Sequence, residues 1–231
     1  MSELFSIQLQ NRQQQGRDGV WLDLPTTTEQ VQAALRQIGI SSDNPQGLFI
    51  SGYFAEEEKR FAIPYNIVLA SNVDELNFLA SRLETLSTGE RAELNAALQT
   101  PQSEFSSIGR ITDFPENVDY YVHLPDVRGP AQLGDYYLNR SGMVDMPEGW
   151  KGGIDTAQFG RYVAQQEQGV FTEYGYLVKS GDAWQKVHEG QPVPEEYRVL
   201  SFPAPEVMRD ATNIPPPVQP ETEPQKVIPI I

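Results

Sequence analysis

The stretch "NVDELNFLASRLETLSTGERAELNAALQ", residues 72–99, constrains the fold more than any other in this chain. Asn72 and Glu75 stand three apart, the spacing at which a capping box satisfies the first orphan amides of a helix. Val73, Leu76, Leu79, Ala80, Leu83 and Leu86 then recur at helical spacing. Ser87 and Glu90 repeat the box, and Leu94, Ala97 and Leu98 carry a second apolar stripe. Two capped helices with a tight joint predict a helical middle unit over 71–112. Asp74, Glu75, Glu84, Glu90 and Glu93 fall off the stripes, so they are expected to face water or a partner.

Both flanks change the period. Phe5, Ile7 and Leu9 alternate, as do Val20, Leu22 and Leu24 after the turn signal Asp18-Gly19, which predicts a hairpin around a Gln-rich loop. Thr26 and Glu29 are spaced for a capping box ahead of Val31, Ala34, Leu35 and Ile38. Residues 48–54 and 61–69 are expected as two further strands, making 1–70 a small unit of one helix on an antiparallel sheet. Beyond 113, residues 118–124 are expected as a strand and 131–138 as a helix with Leu133, Tyr136 and Tyr137 inward. In "DTAQFGRYVAQQEQGVFTEYGYL", Asp155 and Gln158 start a helix, Gly169 stops it, and an aromatic strand follows to Leu177. A hairpin return is expected through Trp184 and Val187. The expected class is therefore α+β, with sheet-plus-helix units at 1–70 and 113–200 flanking the helical middle. Proline density in "FPAPEVMRDATNIPPPVQPETEPQKVIPII" forbids helix and central strand, so 201–231 is expected to be a disordered tail.

Charge narrows the function. The formal net charge is −15, and the four segments 1–70, 71–112, 113–200 and 201–231 carry −3, −3, −7 and −2. A solvated acidic tail would have concentrated the excess; here it is spread over folded surface. Solubility alone can account for such a charge, but it also repels nucleic acid and anionic membrane and attracts basic partners. No apolar run approaches the ~20 residues that cross a bilayer. The absence of cysteine removes thiolate chemistry and disulfides and fits a reducing cytoplasm, and the N-terminal residues lack a signal-peptide pattern.

Templates for chemistry find little to hold. No phosphate-binding glycine loop and no nucleophile elbow occur. His123 and His188 have no partner at helical spacing, and a structural role fits His123 in "VHLPD" better than a His–Asp pair. Glu56, Glu57 and Glu58 offer carboxylates for acid–base work, but three adjacent acids before Lys59 and Arg60 fit a solvated loop better. The tyrosines 120, 121, 136, 137, 174 and 176 lack the basic groove that a base-stacking platform needs. No cofactor, metal site or catalytic residue is expected. A non-enzymatic adaptor that uses the proline-rich tail remains open as an alternative function, as does an uncharacterised enzyme.

Three pieces together resemble the ArdA antirestriction proteins of bacterial mobile elements. They are "GVWLDL" with "TTTEQVQAALRQIGI", "LFISGYF" leading into "VDELNFLASRLETLSTGERAELNAAL", and "LGDYYLNRSG" with "AQFGRYVAQQEQGVFTEYGYL". The chain departs from that pattern at Gly52, where the family usually has an acid, and in the proline-rich extension. The resemblance implies an elongated three-part protein that mimics bent DNA, occupies the DNA groove of type I restriction–modification enzymes and forms a homodimer. It also implies an acidic partner-binding surface. Expected members are Asp74, Glu75, Glu84, Glu90, Glu93, Glu104, Asp113, Glu116, Asp119, Asp126, Asp135, Asp145, Glu148, Asp155, Glu167 and Glu173.

Overall fold

Alternating apolar residues build β1 (Phe5–Asn11) and β2 (Val20–Leu24), and these join β3 (Leu48–Phe54) in an antiparallel sheet of order β2-β1-β3. The computed structural model describes residues 4–14, 18–41, 46–56, 61–100 and 104–200. Phe5, Ile7, Leu9, Leu22 and Leu24 are buried on one sheet face, and α1 (Thr28–Gln37) supplies Val31, Ala34 and Leu35 to the same core. Its capping box is formed by Thr27 and Gln30, one residue later than the expected Thr26 and Glu29. Thr26 is buried instead, its amide donating to Asn77 Oδ1 at 2.7 Å. The expected strand over 61–69 is not formed. Pro64 leads into a short helix, α2 (Tyr65–Ala70), which buries Ile67 and Val68. Proline fixes its own φ but supplies no ladder donor, which suits a helix entry better than a strand.

The two capping boxes of the middle segment form as spaced. Asn72 opens α3 (Val73–Glu84) with Glu75, and Ser87 opens α4 (Thr88–Leu98) with Glu90. Asn77 and Asn95 are also buried, on the apolar side. Each spends its side chain on backbone across the expected segment borders: Asn77 accepts from Thr26 and donates to the Tyr197 carbonyl, and Asn95 accepts from Ala62 N–H at 2.8 Å. A short helix, α5 (Ile108–Thr112), follows, then 3₁₀ turns at Phe114–Glu116 and Val118–Tyr120.

A second antiparallel sheet has the order β4-β6-β5, from β4 (Tyr121–Leu124), β5 (Val170–Thr172) and β6 (Gly175–Lys179). The expected single strand to Leu177 is therefore a tight hairpin. Gly175 takes a positive φ of 131° to make the turn, which a side chain would strain. The helix α6 (Pro130–Asp135) runs into a π-turn at Tyr136–Arg140, the short α7 (Glu148–Lys151) comes next, and then α8 (Thr156–Glu167). Helices α6 and α8 cross in backbone contact. A side chain on Gly134 would run into the Thr156 carbonyl, and one on Gly160 into the Pro130 carbonyl. Gln168 ends α8 in the left-handed conformation, one residue before Gly169. Val127, Leu133 and Tyr176 form the core here, with Tyr136, Tyr137, Val163 and Phe171 packed against it.

The expected hairpin return through Trp184 and Val187 is absent. Residues 184–200 run as an irregular strap, held by Asp74, Asn77, Asp113 and Asn117. The proline-rich segment 201–231 lies outside the described residues. The described residues belong to one compact unit, of α+β class. No helix among them is long and apolar enough to cross a membrane.

Candidate partner-binding surface

The acids expected on one binding surface divide by what their oxygens already hold. At the start of α3, Glu75 Oε2 accepts from Asn72 N–H at 2.8 Å, while Asp74 Oδ1 accepts from Val199 and Leu200 N–H at 2.7 and 2.9 Å. Both sit where the helix N-terminus favours negative charge. Glu90 accepts from Ser87 N–H at 2.7 Å, and its hydrogen bonds with Ser87 hold its carboxyl below the usual range. Glu84 is half-buried at the last turn of α3.

Asp113 departs from the expectation of a surface acid. It is 0 % exposed, and its carboxylate accepts from the backbone N–H groups of Val187, His188 and Glu189 at 3.3, 2.6 and 3.2 Å. Its charge is consumed in anchoring the strap, so it leaves the candidate surface. Nothing in its sequence neighbourhood marks this, because the amides it holds lie about 75 positions away.

Glu93 departs too. One of its carboxylate oxygens is buried without a hydrogen-bond partner, and burial, with Glu90 and Asp119 nearby, pushes the carboxyl up to about 8. Near neutral pH the folded chain holds Glu93 mainly as the neutral acid, so it adds little negative charge. Between its ordinary value of 4.5 and about 8, the folded state keeps a proton that the unfolded state has released. Stability therefore falls as pH rises through that window. Glu93→Gln is expected to stabilise the protein by roughly 1–3 kcal/mol at pH 8, after discounting for partial solvent screening, and to change it little at pH 4. Denaturant titrations of both proteins at the two pH values check this.

Glu104 gathers cations: it accepts from Lys179, from Arg110 Nη2 at 2.7 Å and from Tyr120 Oη at 3.2 Å. The Lys179 ammonium is the main cause holding its carboxyl low, and Glu104 in turn raises the lysine. Glu116 pairs with Arg82, with His188 Nε2 4.0 Å away. Glu167 accepts from Tyr137 and from Tyr176 Oη at 3.0 Å. Burial and this carboxylate push both phenols well above their usual range. Asp135 lies 3.3 Å from Arg140.

Six of the expected acids stand exposed: Asp119, Asp126, Asp145, Glu148, Asp155 and Glu173. Asp155 caps α8 through Gln158 N–H at 3.0 Å, Glu148 pairs with Lys151 at 2.6 Å, and Glu173, in the β5–β6 turn, accepts from Gln99 of the middle segment. Exposed acids also occur outside the expected set, at Asp18, Asp23, Glu29, Asp182, Glu195 and Glu196. Asp18 lies in the loop before β2, Asp23 within β2, Glu29 in the first turn of α1, Asp182 in the loop after β6, and Glu195 and Glu196 in the 3₁₀ turn Glu195–Tyr197. No group of three or more metal-ligating side chains comes together among the described residues.

Two small sheets, joined through capped helices and clothed in excess carboxylate, define an acidic α+β protein. A family model described as Antirestriction protein (ArdA) matches residues 15–178, and the chain belongs to that family. The protein is thus of the antirestriction class, whose counterparts are restriction enzymes. The match ends within β6, ahead of the strap. Comparison with curated proteins gives no match.

Proposed function

We propose that this protein is a DNA mimic, occupying the DNA-binding groove of a type I restriction–modification enzyme and inhibiting it by binding alone. The observation that carries the proposal is a formal charge of −15, of which residues 1–200 carry −13, with carboxylates presented on ordered elements. DNA carries one charge per ~3.4 Å along each strand, and proteins recognise it by neutralising those charges and releasing counterions. Acids one helical turn apart are separated by ~5–6 Å of rise, so carboxylates on helices and tight turns can meet lysines and arginines set for phosphates. Order matters, because charges that must be arranged on binding lose affinity. The capped start of α8 and the β5–β6 turn supply that order to Asp155 and Glu173.

The mimic would act in the cytoplasm as a homodimer, which lengthens the acidic surface, with segments 1–70, 71–112 and 113–200 as its three parts. The test is competition between duplex DNA and this protein for the methyltransferase core of a type I enzyme. Simultaneous binding of both would exclude the mechanism.

A further inference from the structure

The face of the N-terminal sheet turned away from α1 is not uniformly polar. Across the three strands, one row reads Asp23, Ser6, Phe54 and the next reads Trp21, Gln8, Gly52. Trp21 is 49 % and Phe54 58 % exposed, yet their rings meet, with centroids 6.5 Å apart and planes at 74°. Small neighbours permit this. A Cβ on Gly52 would lie 3.1 Å from Trp21 Cη2, so the indole rests over the glycine backbone. Asp23 stands in the row beside them, exposed, with Oδ1 accepting from Ser6 Oγ at 2.8 Å. Among the described residues no lysine or arginine forms an ion pair with it.

Trp21 and Phe54 thus present two exposed rings at an angle, with the Asp23 carboxylate on the same sheet face. The angle does not suit a flat base or sugar, which stacks best on coplanar rings. A docking strand is disfavoured at β3, because α2 packs along it and Tyr65 Oη donates to the Ser51 carbonyl at 3.0 Å. A guanidinium fits: it stacks on aromatic faces, pairs with carboxylate, and comes on partners that a chain of charge −15 attracts.

We propose that Trp21, Phe54 and Asp23 form a docking site for an arginine side chain of a basic protein partner. Only the choice of a restriction enzyme as that partner rests on the DNA-mimic reading; the docking chemistry does not. The experiment titrates the intact protein with a capped Gly-Arg-Gly-Arg-Gly peptide and follows the indole N–H resonances of Trp21, Trp150 and Trp184, with Trp21→Phe for assignment. The Trp21 resonance is expected to shift saturably while the other two stay in place. Trp21→Ala combined with Phe54→Ala leaves the net charge unchanged and is expected to weaken the peptide by about five-fold or more. Uniform shifts at all three indoles, or an unchanged affinity in the double variant, overturn the proposal by reducing binding to general electrostatics. Circular dichroism verifies the fold of the variant. Should it not fold, Asp23→Asn is expected to weaken the peptide about three-fold, and equal affinity there overturns the proposal. The peptide titration contains no restriction enzyme, so its failure is separable from failure of the mimic.

Discussion

Asp113→Ala is expected to remove about 3–5 kcal/mol of stability, the largest loss of any single acid in the chain. The carboxylate is fully buried and holds three consecutive backbone amides of the strap, at Val187, His188 and Glu189. Alanine leaves those donors without their acceptor. The strap also carries the ring of His188, 4.9 Å from Phe78, and Tyr197, 4.7 Å from the same ring, so loosening it uncovers α3. Asp113→Asn keeps one acceptor oxygen and is expected to cost about half as much. Denaturant unfolding measures both; an alanine variant as stable as the parent would contradict this role.

Amide substitution at Asp119, Asp126, Asp145, Glu148, Asp155 and Glu173 together is expected to weaken restriction-enzyme binding by about a hundred-fold. Each exposed carboxylate contributes only about 0.2–1 kcal/mol, but six independent contributions sum to roughly 3 kcal/mol. The set removes six negative charges from a net of −15 and touches no buried side chain. Asparagine at 155 still caps α8, because its side-chain oxygen accepts the same N–H. Asp119→Asn alone is expected to change binding by less than about five-fold. A plasmid-restriction assay and direct binding measurements report on both. One lone substitution that eliminates activity in a folded protein would point to catalysis instead.

Local signals in the sequence carried much of the fold. The boxes at Asn72 and Ser87 form as spaced because a capping box needs only residues three apart, and β1 and β2 follow their alternation. Two kinds of signal are not legible in periodicity: local punctuation inside an apolar run, and contacts with distant partners. Residues 61–69 are apolar enough for a strand, but Pro64 and the burial of Ile67 and Val68 make a helix end of them. The "FTEYGY" run hides a hairpin because its turn uses Gly175 rather than a polar turn pair. Within the candidate surface, position off an apolar stripe did not guarantee exposure. Glu93 lies off the stripe of α4, yet has a carboxylate oxygen buried by what packs on that helix, and Asp113 is buried by a strap far along the chain. The same blindness held in reverse for Trp21 and Phe54. Strand alternation assigns their direction but not their exposure.

Competition across a salt series tests DNA mimicry most directly. The methyltransferase core of a type I enzyme, labelled duplex DNA and this protein are mixed at increasing salt, with both affinities measured. Mutual exclusion is predicted at every salt concentration, with the affinity for this protein falling steeply as salt rises. The slope is predicted to be shallower than that for DNA. A duplex releases a condensed counterion atmosphere, whereas several carboxylates here are already neutralised by Arg82, Arg110, Arg140 and Lys179. DNA and protein bound together on one enzyme, or an affinity flat from low to high salt, would contradict DNA mimicry.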